Sequence, residues 1–136
     1  MSKLLNLKAG GVLDYVEERV LRSQFTDGGS TAGTYTMKVQ IPIGAEVVKT
    51  LVTNVTGFAG DTSATLVVGD GTDADRYNTG TPSVFASAAM VAMGAPSGTL
   101  VHTAAKAPVL TVTSATDFGA VTAGALTVRI VYWVGG

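Results

Sequence analysis

Glycine, proline and aspartate interrupt this chain at intervals of roughly eight to twelve residues, and the stretches between them are rich in β-branched residues. That spacing suits strands joined by tight connections. It leaves no strong helix between strands to make the right-handed crossovers of a parallel α/β fold. The stretch from Ser63 to Tyr77 shows the pattern most clearly. Thr65, Val67 and Gly69 alternate with Ala64, Leu66 and Val68, which favours a pleated strand over a helix. Asp70-Gly71 then stops it, because glycine supplies the positive φ of a tight turn, and a second extended segment is expected after the turn.

The same alternation predicts further strands. Tyr35 to Ile43 sets Tyr35, Met37, Val39, Ile41 and Ile43 against Thr36, Lys38, Gln40 and Pro42, with Pro42 placing its end at an edge or bend. Glu46 to Phe58 carries apolar residues on both faces and reads as a central strand. Leu100 to Ala104, Pro108 to Ala115 and Ala125 to Val134 read as strands too, the last with Leu126, Val128, Ile130 and Tyr132 on one face. Val84 to Met93 is alanine-rich and fits a short helix or a flat strand. In Val12 to Phe25 the valines fit either period, and a strand over Val16 to Phe25 is preferred because a helix there would stand alone. Thr26 to Gly33, with three glycines, reads as a mobile surface loop.

The expected fold is therefore all-β: a single antiparallel β-sandwich, jelly-roll-like, of about eight strands. At 136 residues the chain fits one domain. Residues 1–11 end in Ala9-Gly10-Gly11 and read as a flexible N-terminal arm, leaving 12–136 as the sandwich. The arm's Leu4, Leu5 and Leu7 are candidate interface residues, as a strap that docks on a neighbouring subunit. Trp133 joins them as the aromatic residue most expected at a surface or interface.

Composition narrows the function. A net charge of −1 with scattered Lys and Arg argues against nucleic-acid binding, and no apolar run approaches the roughly 18 residues of a membrane span. The chain reads as a soluble protein without an export address. With no cysteine, thiol catalysis and thiolate metal sites are excluded. Charged residues make up only 14% against 46% hydrophobic, which suits a domain whose surface is partly covered by partners.

Asp61, Asp70, Asp73 and Asp75 crowd carboxylates into one region, and Asp70, Asp73 and Asp75 are the candidate ligands if a hard cation such as calcium binds. The order matches no EF-hand loop, so the preferred reading is that these side chains accept turn N–H groups and Arg76 neutralises one of them. His102, the single histidine, stands in a short apolar strand without a nucleophile motif, so no enzyme activity and no cofactor are expected. Trp133, Tyr132, Tyr77, Tyr35 and Phe58 are the aromatic residues available for a sugar platform, although most are expected in the core.

Three stretches together carry a resemblance: Ile41-Pro42-Ile43-Gly44-Ala45, the whole of Ser63 to Tyr77, and Thr122-Ala123-Gly124-Ala125-Leu126-Thr127-Val128-Arg129-Ile130. In these the chain resembles small virion proteins of tailed bacteriophages, above all the capsid decoration, or cement, proteins. The resemblance implies a β-sandwich that oligomerises, often as a trimer, and sits on the capsid surface across joints between major capsid protein subunits. It also implies synthesis in the host cytoplasm. The alternative, from another class, is a carbohydrate-binding or adhesin module, or a head-fibre or tail-associated one, marked by an exposed aromatic patch near Trp133 or Tyr77.

Overall fold

The computed structural model describes residues 12–97 and 101–135. Among these described residues eight strands run in chain order: β1 (Val12–Leu21), β2 (Thr26–Asp27), β3 (Ala32–Thr36), β4 (Ala45–Ala59), β5 (Ala64–Gly69), β6 (Ala88–Val91), β7 (Val109–Ser114) and β8 (Ala123–Val134). They form two four-stranded sheets, ordered β1-β8-β4-β6 and β2-β3-β7-β5, in which every pairing is antiparallel. The expected all-β sandwich is the fold observed. Only the β2–β3 connection stays within one sheet; each of the others carries the chain from one sheet to the other.

The core lies between the sheets. Val20, Val52, Leu126, Val128 and Ile130 of the first sheet meet Leu66, Val68, Leu110 and Val112 of the second, all without solvent exposure. Burying each such side chain contributes on the order of 1.5–3 kcal/mol, so these rows dominate cohesion. Phe25, in the crossing from β1 to β2, packs against Tyr35, Phe58 and Phe118 with ring centroids 6.0, 5.9 and 5.9 Å away. This aromatic cluster joins the two layers. Gly33 makes room for it, since a Cβ there would run into the Phe118 ring.

Several sequence expectations are corrected. The strand expected over Tyr35 to Ile43 ends at Thr36. The physical cause is Glu18 of β1, whose carboxylate accepts the N–H of Lys38 at 2.6 Å and of Val39 at 3.0 Å and so replaces a ladder partner. Ile41 keeps only an isolated antiparallel bridge to Lys106. The strand expected over Leu100 to Ala104 reduces, among its described residues, to a bridge between Val101 and Glu46. The loop expected over Thr26 to Gly33 contains β2 and the start of β3. The first strand begins at Val12 and closes into a single 3-10 turn at Arg22–Gln24, four residues earlier at each end region than a strand over Val16 to Phe25 would have it.

β4 is central, as expected, lying between β8 and β6. Its strict alternation fails, however, at bulges between Val47 and Lys49 and between Thr53 and Thr56. Val47 faces the core, yet so do Thr50 and Val52 after the first bulge. Asn54, with φ 50°, forms the second, and the Arg19 guanidinium donates to its carbonyl at 2.5 Å.

Candidate functional site

The polar groups singled out from the sequence gather mainly at the end of the sandwich where β5 gives way to the turn at residues 70–78. Gly69 lets this turn fold back, because a Cβ there would strike the Asp73 carbonyl. Asp70 then accepts the N–H groups of Thr72 and Asp73, both at 2.9 Å, and pairs with Arg76 Nε at 2.6 Å. Partial burial alone pushes the Asp70 carboxyl up, but the Asp73 and Thr72 N–H groups and the Arg76 charge together hold it below its ordinary value. Asp73 lies 3.9 Å from Arg76 Nη2 and accepts the Asp75 N–H. A hydrogen bond shared with Asp73, then slight burial and the Asp73 charge, push the Asp75 carboxyl up.

Asp61 stands elsewhere, between β4 and β5, and serves the loop before β8. It accepts the Thr116 N–H at 2.9 Å, the Thr116 hydroxyl at 3.0 Å and its own neighbour Thr62 N–H at 2.7 Å. Led by the Thr116 backbone bond, these donors bring its carboxyl down to about 2. The turn-capping reading thus describes Asp70 and Asp73, whereas Asp61 binds a loop more than fifty residues away. Among the described residues no three His, Cys, Asp or Glu side chains gather as a metal-binding group.

After the turn the chain comes back beside β5, but irregularly. Tyr77 N–H bonds the Val68 carbonyl, and Leu66 N–H bonds the Pro82 carbonyl. Between them the fully buried Asn78 side chain acts as a strand would: its Oδ1 accepts the Val68 N–H at 2.6 Å and its amide donates to the Gly80 carbonyl at 2.7 Å. Nothing in the sequence marked Asn78, since a polar residue in a Thr-Gly-Thr-Pro context reads as loop.

His102 and Tyr77 form a second buried pair. His102 Nδ1 lies 2.7 Å from the Ala45 carbonyl, which has no proton to give, so Nδ1 carries the hydrogen. Nε2 is then the acceptor for the Tyr77 hydroxyl at 2.7 Å. Burial, reinforced by the Asp70 charge, raises the Tyr77 phenol far above its ordinary range and keeps it a donor. With Asp70, Thr103 and Lys106, His102 lines a shallow cavity of about 100 Å³, smaller than the roughly 300 Å³ at which ligand pockets begin. Both ring nitrogens are committed to structural bonds. The arrangement orders the backbones on either side: the His102 N–H also donates to the Ala45 carbonyl, and the His102 carbonyl accepts from the Gly44 N–H.

Of the remaining candidates, Trp133 lies on the outer face of β8, partly exposed and opposite Leu13 and Glu46. Tyr77, only 1% exposed, is removed from any aromatic patch. Tyr35, Phe58 and Tyr132 are core residues. Leu4, Leu5 and Leu7 lie outside the described residues. No helix among the described residues is long and apolar enough to cross a membrane.

What the fold and these groups define is a small two-sheet β-sandwich whose polar chemistry is spent on holding its own turns and crossings. No protein-family model matches the sequence, and no curated protein matches it. The fold is similar to that of a chain in the cyanophage Pam1 capsid asymmetric unit, with a TM-score of 0.57 and 24% identity. The likeness covers 92% of this chain and 86% of that one.

Proposed function

We propose that this protein is a structural component of a bacteriophage virion, a decoration subunit bound to the outer capsid surface across major capsid protein subunits. The observation that carries the proposal is the fold likeness, over nearly the full length of both chains, to a chain of the cyanophage Pam1 capsid asymmetric unit. The site geometry supports a role without catalysis: His102 and Asp70 hold backbone, Tyr77 holds the His102 ring, and the cavity beside them is smaller than an ordinary ligand pocket. A decoration subunit acts by binding the assembled shell and not its separated parts, which stabilises the shell by mass action. We further propose that it does so as a homo-oligomer, with the trimer implied by the resemblance, after synthesis in the host cytoplasm.

The test is the copy number of this chain in purified virions of its source, relative to the major capsid protein. A number comparable to that of the major capsid protein is expected. A handful of copies per particle would point instead to a fibre or tail component, and absence from the particle would end the virion reading.

A further inference from the structure

The sheet β1-β8-β4-β6 ends in two edge strands, and the chain treats them differently. β1 is protected twice. The N–H groups of Tyr15 and Leu21 are taken by the Asp14 carboxylate and the Gln24 amide oxygen, both at 2.8 Å. The strand also carries Asp14, Glu17, Glu18 and Arg19, and charge along an edge blocks edge-to-edge pairing. β6 has neither protection. Its segment runs along β4 from Val84, whose carbonyl accepts the Phe58 N–H, through Ser87, whose hydroxyl accepts the Gly57 N–H, to Val91 opposite Val52. Among the described residues no further backbone-to-backbone bond reaches residues 85–92, so the side away from β4 is an open edge. No Asp, Glu, Lys or Arg stands between Arg76 and Lys106. Phe85 and Met90 are 38% and 62% exposed, and Ala86, Ala89 and Ala92 are exposed beside them. An open, uncharged edge with apolar side chains is a template for another strand.

Charge selects what fills it. A strand that carries charge finds no counter-charge along this segment, so the matching partner is another uncharged edge. β2 is only two residues long and includes Asp27, and the far side of β5 is taken by the chain returning from Tyr77 to Pro82. β6 matches itself. Antiparallel pairing across a two-fold axis sets the segment against its own copy, and no register brings like charges together. β1 fails the same test. In an antiparallel pair, opposed residues both turn their backbone groups toward the partner or both away, so self-paired positions differ by an even number. The three central registers of β1 therefore set Asp14 against Glu18, Glu17 against itself, or Glu18 against itself.

We propose that two copies of this chain pair through β6, antiparallel and across a two-fold axis, which joins their four-stranded sheets into one with Phe85 and Met90 at the junction. The contact is two-fold and so is additional to the proposed trimer, and its test uses the isolated protein independently of the virion reading. Analytical sedimentation of the wild type is expected to show a reversible doubling of mass as concentration rises. Met90→Lys places like charges beside the axis and is expected to weaken this doubling by about tenfold or more, with an unchanged melting temperature because Met90 is exposed. Mixing Met90→Lys with Met90→Glu is expected to restore it. A wild type that never doubles overturns the proposal, and so does a Met90→Lys variant that doubles as readily as the wild type. A mixture that stays undoubled while Met90→Lys blocks the wild-type contact also overturns self-pairing, because β6 then meets a different surface of its partner. Amide exchange gives a second readout. The Ala89 to Val91 amides are expected to exchange more slowly as wild-type concentration rises, but not in Met90→Lys; exchange independent of concentration in both overturns the assignment.

Discussion

At the scale of single residues, two acidic side chains, Asp61 and Glu18, act on backbone far away in sequence, whereas Asp70 acts on its own turn. Asp61 reaches Thr116 and Asp117, Glu18 reaches Lys38 and Val39, and Asp70 closes its own turn. Asp61 gives the clearest pH consequence. Its folded-state value of about 2 lies below the ordinary 3.8, so its contribution to stability is fully present above 3.8 and is lost as pH falls through about 2. Asp61→Asn is therefore expected to lower the Tm at neutral pH and to flatten the fall of Tm between 3.8 and about 2, as read by thermal melts across that range. A variant profile parallel to that of the wild type throughout would show that the Asp61 bonds contribute nothing to stability. The Asp70 to Asp75 cluster was legible from composition because short aspartates beside glycine favour capping of local N–H groups. Asn78 was not legible, since its value lies in a Val68 N–H that only the returning chain brings within reach.

At the scale of elements, alternation located most strands and missed where they bend. β5, β7 and β8 follow the two-residue period because each has one partner that pairs with it without a register shift, β7 for β5, β3 for β7 and β1 for β8. The Tyr35 to Ile43 run has an equally regular period, yet it leaves the ladder at Thr36 because Glu18 offers its carboxylate to the next N–H groups. The Tyr35 hydroxyl also donates to Glu18 at 2.6 Å, and burial, with this bond and charge, pushes the Tyr35 phenol up to about 12. Glu18→Ala is expected to cost about 1–3 kcal/mol in denaturant unfolding, since it removes three bonds that tie β1 to the opposite layer. In the same variant the Tyr35 phenol should titrate below 12, and the Lys38 and Val39 amides should exchange faster with solvent. Unaltered amide exchange would mean that the bend is held by something other than Glu18.

At the scale of the whole molecule, six of the seven connections between consecutive strands cross from one sheet to the other. Neighbours within a sheet are consequently remote in sequence: β1 pairs with β8, β4 with β8, and β3 with β7. Closing such loops costs entropy before any burial repays it. Refolding is expected on the millisecond-to-second scale typical of sandwiches, followed by stopped-flow emission of Trp133. Microsecond refolding would show that local contacts form the nucleus despite this topology.

The sequence by itself determined that this is an all-β protein, where most strands lie, which residues of β5 and β8 share a face, and that Asp70 and Asp73 serve their own turn. Those features depend on residue period, glycine and proline placement and hydrogen bonds between near neighbours, all of which are local. Only the tertiary structure decided the sheet order, the bulges that invert the pattern of β4, the bend after Thr36, and the burial of Asn78, Tyr77 and His102. Each of these depends on a partner many residues away, and neither period nor propensity records which distant group will arrive beside a given N–H.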